Sequence, residues 1–277
     1  MAGSASPGAG SVPLVLLHGM SSGAFAWAPV LDLLGAGPRR VLALTYAGHV
    51  GGASILNDRK FALEHVVDDV EHQLDALGID QADLVGNSLG GWIALRLAAR
   101  GRARSVVCLA PAGGWRPGGS FDRWLRLQFT IGFYAARALL ALRAERLLRL
   151  RAVRRWFLAG MVSRVDNLDA EAATRAVSAV AGCDALRFLL RHPRSADLLG
   201  PGEVLCPVLV AWSAGDRILV SRKGTREFMR WVPGAEETTL LGVGHVPMSD
   251  DPELVAATVL EFVERLEAEL EAPVRSA

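Results

Sequence analysis

Short apolar runs alternate along this chain with longer segments of helical periodicity, and this alternation restricts the fold more than any other feature. The runs that read as strands cover residues 12–17, 41–44, 83–85, 105–109, 208–211 and 238–241. The segments that read as helices cover residues 24–34, 63–77, 89–99, 221–230 and the stretch that opens at Pro252. Such alternation is typical of βαβ units on a parallel sheet with helices on both faces. We therefore predict an α/β fold with a mostly parallel, doubly wound sheet.

The alternation breaks between residues 113 and 200, where no convincing strand occurs and helical propensity dominates. This stretch contains fifteen arginines against seven acidic residues, and Gly/Pro clusters flank it on both sides. A shift in composition between such punctuation indicates an insertion. The sequence predicts a core of residues 1–112 and 201–277 that carries a helical cap, or lid, at residues 113–200.

The arginines of this predicted cap give it an excess of about eight positive charges. Such an excess bears on the partners of the protein as well as on its structure. The simplest interpretation is a solvated helix surface. The alternatives are the docking of an acidic carrier protein and the steering of an anionic substrate. Residues 139–157 do not separate leucine from arginine on a helical wheel, so the pattern does not favour binding to a membrane surface.

Composition excludes several classes of protein. Hydrophobic residues make up 51% of the 277 residues and charged residues 21%, which is not the composition of a disordered chain. The net charge of +1 gives no case for nucleic acid binding. The first residues lack the pattern of a signal peptide, and no apolar run reaches the roughly 20 residues of a membrane span. Three scattered cysteines indicate buried thiols, so we predict a cytoplasmic protein.

The sequence Gly86-Asn87-Ser88-Leu89-Gly90-Gly91 lies where a predicted strand turns sharply into a predicted helix. A nucleophilic serine on such a turn needs glycine two positions away on either side, because larger side chains would collide with the neighbouring backbone. A second G-x-S-x-G match places Ser21 after the first strand. Ser88 follows the better-patterned strand, so we predict that it is the nucleophile.

The partners of a serine nucleophile are expected at the ends of later strands, first an acid and then a base. Asp216 follows the strand at 208–211, and His245 follows the strand at 238–241. We therefore predict a catalytic triad of Ser88, Asp216 and His245. No HExxH motif, Cys/His cluster or nucleotide-binding glycine motif occurs, so we predict neither a metal nor a cofactor.

The motifs His18-Gly19-Met20, GNSLGG, SAGD and GVGH together resemble the α/β-hydrolase fold family. The resemblance implies a parallel-sheet core, a lid over the site, and an oxyanion hole formed by the backbone N–H groups of Met20 and Leu89. The chain departs from the family's Asp-x-Pro-Gly-x-Gly loop, since it reads Thr45-Tyr46-Ala47-Gly48-His49. His49 is interpreted as a loop or pocket-edge residue rather than a second base.

The predicted reaction is hydrolysis of a carboxylic ester, or a related acyl compound, through an acyl-enzyme on Ser88. A serine at this position is unlike the dehalogenase and epoxide hydrolase branches of the family, which use aspartate there. Cleavage of a carbon–carbon bond in a diketone-like acid is the first alternative and perhydrolysis the second. A non-hydrolytic cyclase or a binding protein on the same fold is the alternative from another class.

Overall fold

The computed structural model of the protein describes residues 12–55, 61–158, 160–192, 198, 200–219 and 222–271. Six strands form one sheet: β1 (Leu14–Leu17), β2 (Val41–Leu44), β3 (Ala82–Asn87), β4 (Ala103–Leu109), β5 (Val208–Ser213) and β6 (Glu236–Leu240). Their order is β2-β1-β3-β4-β5-β6, and every neighbouring pair is parallel. This arrangement confirms the predicted parallel sheet.

Ten α-helices and three short 3-10 helices accompany the strands in the described chain. The α-helices are α1 (Ala28–Leu34), α2 (Leu63–Ala76), α3 (Leu89–Ala99), α4 (Ser120–Ala141), α5 (Arg151–Leu158), α6 (Ala170–Ala181), α7 (Asp184–Arg191), α8 (Arg222–Trp231), α9 (Pro247–Asp250) and α10 (Pro252–Glu271). The 3-10 helices are Ala24–Trp27, Glu145–Arg149 and Val165–Asn167. The predicted helix at residues 24–34 is therefore a 3-10 turn followed by α1.

Both faces of the sheet are covered, because successive strand residues point to opposite sides. Val15 and Leu17 of β1 pack into an apolar cluster with α2 and α3, whereas Leu14 and Leu16 pack with α1 and α10 on the other side. A strand buried on both faces reads as a continuous apolar run. This explains why β1 has the sequence LVLL.

Only helices connect β4 to β5 within the described residues. Helices α4 to α7 and two of the 3-10 helices lie there, and part of this segment has an apolar cluster of its own around Leu148, Val165 and Val177. The helical wheel drawn over residues 139–157 assumed one helix, and that assumption is wrong. Helix α4 ends at Ala141, a 3-10 helix follows, and α5 begins at Arg151.

An ion-pair network lies near the amino-terminal end of β3. The Asp83 carboxylate, only 1% exposed, accepts hydrogen bonds from Arg39 at 2.9 Å and from the Ser105 hydroxyl at 2.7 Å, and it also pairs with Arg104. Glu267 pairs with the same two arginines. The network ties β3 and β4 to helix α10 at the end of the strand away from Ser88.

The three cysteines are free thiols, and two of them are buried as predicted, Cys108 and Cys183. The prediction of a buried thiol is wrong for Cys206, which is partly exposed. Cys206 lies in the surface loop that precedes β5. Within the part of the chain that the structure describes, no helix is long and apolar enough to cross a membrane.

Candidate active site

Ser88 lies at the sharp turn between β3 and α3, in a backbone conformation that few non-glycine residues adopt. Its φ is 54° and its ψ is −117°. A Cβ on Gly86 would overlap the backbone of Gly90, and a Cβ on Gly90 would overlap the carbonyl of Leu17. Close backbone contacts therefore require glycine at both positions, as the sequence predicts.

The structure brings Ser88, His245 and Asp216 into one hydrogen-bonded chain. The Ser88 Oγ lies 2.9 Å from Nε2 of His245, and the His245 Nδ1 lies 2.7 Å from Oδ2 of Asp216. Ser88 follows β3, Asp216 follows β5 and His245 follows β6, so all three meet at the carboxyl ends of the strands.

The carboxylate of Asp216 is held by its surroundings in the ionised form. Burial raises its pKa, but the hydrogen bond and charge of His245 and the backbone N–H groups of Ile218 and Leu219 outweigh burial and lower it overall. Those N–H groups donate to Oδ1 at 2.7 and 3.0 Å. Because Oδ1 is occupied, Oδ2 is left to orient the imidazole.

Two buried polar residues that the sequence analysis did not identify hold the His245 loop. The Asn87 side-chain amide donates to the carbonyls of Leu109 and His245, at 3.0 and 2.9 Å. The carboxylate of Asp250, on a residue 1% exposed, accepts from the backbone N–H of Gly244 at 2.6 Å. Gly244 adjoins His245, so both contacts fix the position of the imidazole.

Asp250 also joins this loop to the segment between β4 and β5. Its carboxylate accepts from the backbone N–H groups of Ser163 at 2.9 Å and Arg164 at 2.6 Å. The Asn167 side-chain amide donates to the backbone carbonyl of Asp250 at 2.8 Å. In the sequence, Asp250 and Asp251 directly precede Pro252, but this local pattern does not indicate hydrogen-bond partners more than eighty residues away in the chain.

Met20 and Leu89 present backbone N–H groups that have no hydrogen-bond acceptor among the described residues. Both residues line the same cavity as Ser88. Gly19, which precedes Met20, packs against the elbow, since a Cβ there would lie 3.3 Å from the Ser88 Cβ. Two unpaired donors beside a serine hydroxyl are the arrangement that an oxyanion hole requires.

A largely apolar cavity of about 670 Å³, counted out to its open mouth, adjoins Ser88. Its walls come from the loops after β1 and β5, from α4 and from α7. Of the aromatic residues between 113 and 200, Trp115 and Phe129 line it. Asp122 and Arg126 also line it and form an ion pair at 2.9 Å.

Ser21, the alternative nucleophile, lies in a different environment. It is buried and has a φ of 61°, but no histidine lies within hydrogen-bonding distance of its Oγ in the described part of the chain. His49 is buried as well, and its ring packs against His18 and Tyr46 at centroid distances of 4.9 Å. His49 is therefore a buried loop residue and does not line the cavity.

Burial lowers the pKa of both of these histidines. The pKa of His49 falls to about 4, because desolvation outweighs its hydrogen bonds to backbone carbonyls, and the pKa of His18 is also well below its usual value. Both rings are therefore neutral at pH 7. Among the described residues, no group of three or more His, Cys, Asp or Glu side chains could hold a metal ion.

Comparison with known proteins identifies relatives over most of the chain. The family profile described as "Alpha/beta hydrolase family" matches residues 14–258. Epoxide hydrolase EphH of Mycobacterium tuberculosis is 34% identical over 210 residues, which are 72% of this chain and 94% of that protein. A 2-hydroxymuconate semialdehyde hydrolase of a Pseudomonas species is 44% identical over 106 residues, which are 36% of this chain and 37% of the relative.

Solved structures agree on the fold. A thermophilic esterase from Thermogutta terrifontis superposes with a TM-score of 0.64 at 20% identity, covering 92% of this chain and 90% of the esterase. Identity at that level supports the fold alone. The family match extends from β1 into α10 and includes the strands that carry Ser88, Asp216 and His245. The chain therefore belongs to the alpha/beta hydrolase family.

Proposed function

We propose that the protein is a serine hydrolase that cleaves carboxylic esters through a covalent acyl-enzyme on Ser88. The observation that carries the proposal is the hydrogen-bonded chain from the Ser88 Oγ through His245 to Asp216, at 2.9 and 2.7 Å. A serine hydroxyl is a weak nucleophile by itself, and an adjacent base activates it. The family match supports hydrolysis in general, and these contacts favour the serine mechanism.

In the proposed reaction, His245 Nε2 accepts the Ser88 proton as Oγ attacks the ester carbonyl. Asp216 keeps the proton of the neutral imidazole on Nδ1 and stabilises the imidazolium. The N–H groups of Met20 and Leu89 donate to the oxyanion, and the loss of one such donor costs about 3–4 kcal/mol in related sites. His245 then protonates the leaving alkoxide. Water, activated by the same histidine, releases the acid.

The cavity indicates the substrate class. Half of its lining residues are leucines, and Trp115 and Phe129 also line it, so it favours an apolar acyl or alcohol group over a charged one. We also propose that residues 113–200 act as a cap, since this stretch supplies nine of the sixteen residues that line the cavity. Esters of medium-length alkyl acids are the first substrates to try.

Epoxide hydrolysis, the activity in the name of the EphH relative, fits this chain less well. Opening of an epoxide by the Ser88 oxygen would form an alkyl ether, which water attacking with the help of His245 would not hydrolyse. An aspartate nucleophile would form an ester, but position 88 holds serine. The identity of this nucleophile therefore favours an acyl substrate.

Carbon–carbon cleavage of a diketone-like acid is the second candidate. Arg126 lines the cavity and offers a cation for a substrate carboxylate, although Asp122 already shares its charge. The name of the Pseudomonas relative describes an activity of this kind. The same site would add water to the ketone next to the bond that breaks.

Labelling with a fluorophosphonate probe tests the proposal directly. We expect the wild type and Ser21→Ala to react and Ser88→Ala to remain unlabelled. Ser21→Ala is the matched control because it alters the other G-x-S-x-G serine. With p-nitrophenyl butyrate as substrate, Ser88→Ala is expected to lower kcat by about 10⁴-fold or more. Labelling of Ser88→Ala, or its full activity on the ester, would contradict the acyl-enzyme mechanism.

A substrate panel separates the candidates. The wild type is compared on p-nitrophenyl esters of increasing acyl length, on styrene oxide and on a 2-hydroxy-6-oxo-dienoic acid. Turnover of the esters alone supports the first proposal, and turnover of the dienoic acid alone supports the second. Turnover of styrene oxide that survives Ser88→Ala would mean that His245 activates water directly.

A further inference from the structure

The segment 120–158 exposes an unusual number of large apolar side chains to solvent. More than half of the exposed large apolar side chains of the described chain lie there. They are Trp124, Leu127, Ile131, Tyr134, Leu142, Leu147, Leu150 and Trp156. Leu142 is 77% exposed and Trp156 is 69% exposed. Exposed large apolar side chains concentrated in one segment point to an interaction site.

Helix α4 and the residue after it align five of these side chains in one row, which we call the α4 outer stripe. Its members are Trp124, Leu127, Ile131, Tyr134 and Leu142. At about 100° per residue they fall within an arc of about 80°. The centre of that arc is opposite the face of Leu125 and Phe129, which line the cavity. One helix thus presents an apolar face to the cavity and another to solvent.

The same segment is strongly cationic. Residues 120–158 contain nine arginines and two acidic residues. Arg143, Arg146, Arg149 and Arg155 are exposed and have no carboxylate within ion-pair distance among the residues that the structure describes. These four arginines alternate along the chain with the exposed leucines and with Trp156. The segment therefore exposes apolar and cationic groups together.

This charge decides between the possible occupants of the stripe. A second copy of the chain would bring an identical patch against it, because a symmetric dimer uses the same surface on both subunits. Arginines facing arginines would oppose that association. A lipid bilayer with anionic headgroups complements the arginines and takes up leucine and tryptophan at its interface. Arginine stems also pack along apolar surface while the guanidinium remains in water.

We propose that segment 120–158 binds the surface of an anionic lipid bilayer. The α4 outer stripe and Trp156 enter the boundary between headgroups and acyl chains, and the exposed arginines contact the headgroup phosphates. The binding is peripheral and does not depend on the catalytic residues. It is therefore testable whether or not the protein proves to be an ester hydrolase.

Co-sedimentation with vesicles tests the charge requirement. The full-length protein is mixed with vesicles of phosphatidylcholine alone or of equal parts phosphatidylcholine and phosphatidylglycerol. The triple variant Arg146→Gln/Arg149→Gln/Arg155→Gln is expected to lower partitioning onto the anionic vesicles by about 100-fold, since each arginine near such a surface contributes about fivefold. The matched control neutralises three exposed cations of α8, Lys223→Gln/Arg226→Gln/Arg230→Gln, and is expected to bind as the wild type does.

A second pair of variants tests the apolar requirement. Leu127→Gln/Ile131→Gln replaces two half-exposed members of the stripe and is expected to weaken binding by about 20-fold. The affinity falls because the variant buries less apolar surface when it binds the bilayer. The control Leu205→Gln/Leu241→Gln alters two leucines elsewhere that are more exposed than the stripe residues, and it is expected to leave binding unchanged. An unchanged urea unfolding midpoint shows that each variant is folded.

The results of these binding experiments distinguish the possible binding partners of segment 120–158. Preferential binding to the anionic vesicles that both segment variants lose supports the proposal. Absence of vesicle binding by the wild type overturns it, as does binding that only the control variants lose. A wild-type dimer in sedimentation velocity that Leu127→Gln/Ile131→Gln converts to a monomer would assign the stripe to a second copy. Binding to soluble polyglutamate but not to anionic vesicles would assign the arginines to an acidic protein.

Discussion

Replacement of Asp250 by asparagine tests whether a buried carboxylate holds the catalytic loop in place. In the wild type, one oxygen accepts from Gly244 and Ser163, and the other accepts from Arg164 at 2.6 Å. An amide oxygen keeps the first two bonds, but the amide nitrogen then faces the Arg164 N–H, donor against donor. A hydrogen bond to a charged group contributes about 1.5–3 kcal/mol. We therefore expect Asp250→Asn to lower the free energy of unfolding by about 2–3 kcal/mol.

The neighbouring aspartate provides the matched control. Asp251 accepts from the Leu254 N–H at the start of α10 and pairs with the half-exposed side chain of Arg164. Asparagine caps helices as well as aspartate does, and an exposed ion pair contributes about 0–1 kcal/mol. Asp251→Asn is therefore expected to cost less than about 1 kcal/mol. Urea unfolding followed by circular dichroism measures both values.

The same variant should affect catalysis. A displaced Gly244 moves His245 relative to the Ser88 Oγ, and small errors of alignment cost up to about 100-fold in rate. With p-nitrophenyl butyrate, Asp250→Asn is expected to lower kcat by about 10- to 100-fold with little change in KM. If Asp250→Asn and Asp251→Asn have the same stability and the same kcat, Asp250 does not hold the loop in place.

Three further predictions concern other buried polar groups. The pKa of His49 is lowered to about 4 in the folded protein, so the unfolded chain binds a proton more readily and stability falls as the pH drops below about 6.5. Between pH 7 and pH 5, the unfolding free energy of His49→Gln should therefore decrease by about 2 kcal/mol less than that of the wild type. Asp83→Asn should cost about 3 kcal/mol in urea unfolding but leave kcat unchanged, because Arg39 loses its buried partner far from Ser88. Asn87→Ala should lower kcat by about tenfold at constant KM, since the amide no longer links the elbow to His245.

Much of the sheet and of the candidate site could be predicted because their signals are local. The G-x-S-x-G elbow needs its glycines within two residues of Ser88, and each partner follows a strand of its own. The predicted strand at 208–211 extends to Ser213, and α9 escaped prediction because four residues give no periodicity. The roles of Asn87 and Asp250 depend on contacts with distant segments, which a local pattern does not contain.

Residues 139–157 do not form one helix, and no local signal in the sequence shows this. A helix commonly ends at a glycine in the left-handed conformation. Here Arg143 adopts it, with a φ of 50°. No glycine or proline marks the end of α4, so the wheel was drawn across a helix end.

The separation of Ser88 and His245 by 157 residues has a consequence for synthesis of the protein on the ribosome. Strands β1 to β4 can pair as soon as they emerge, but His245 follows β6, an edge strand and the last of the six to be made. A nascent chain therefore carries the elbow serine long before it carries the histidine that contacts it. Activity should appear only after β6 has emerged and paired with β5, and its gain during translation in vitro would time the addition of this strand.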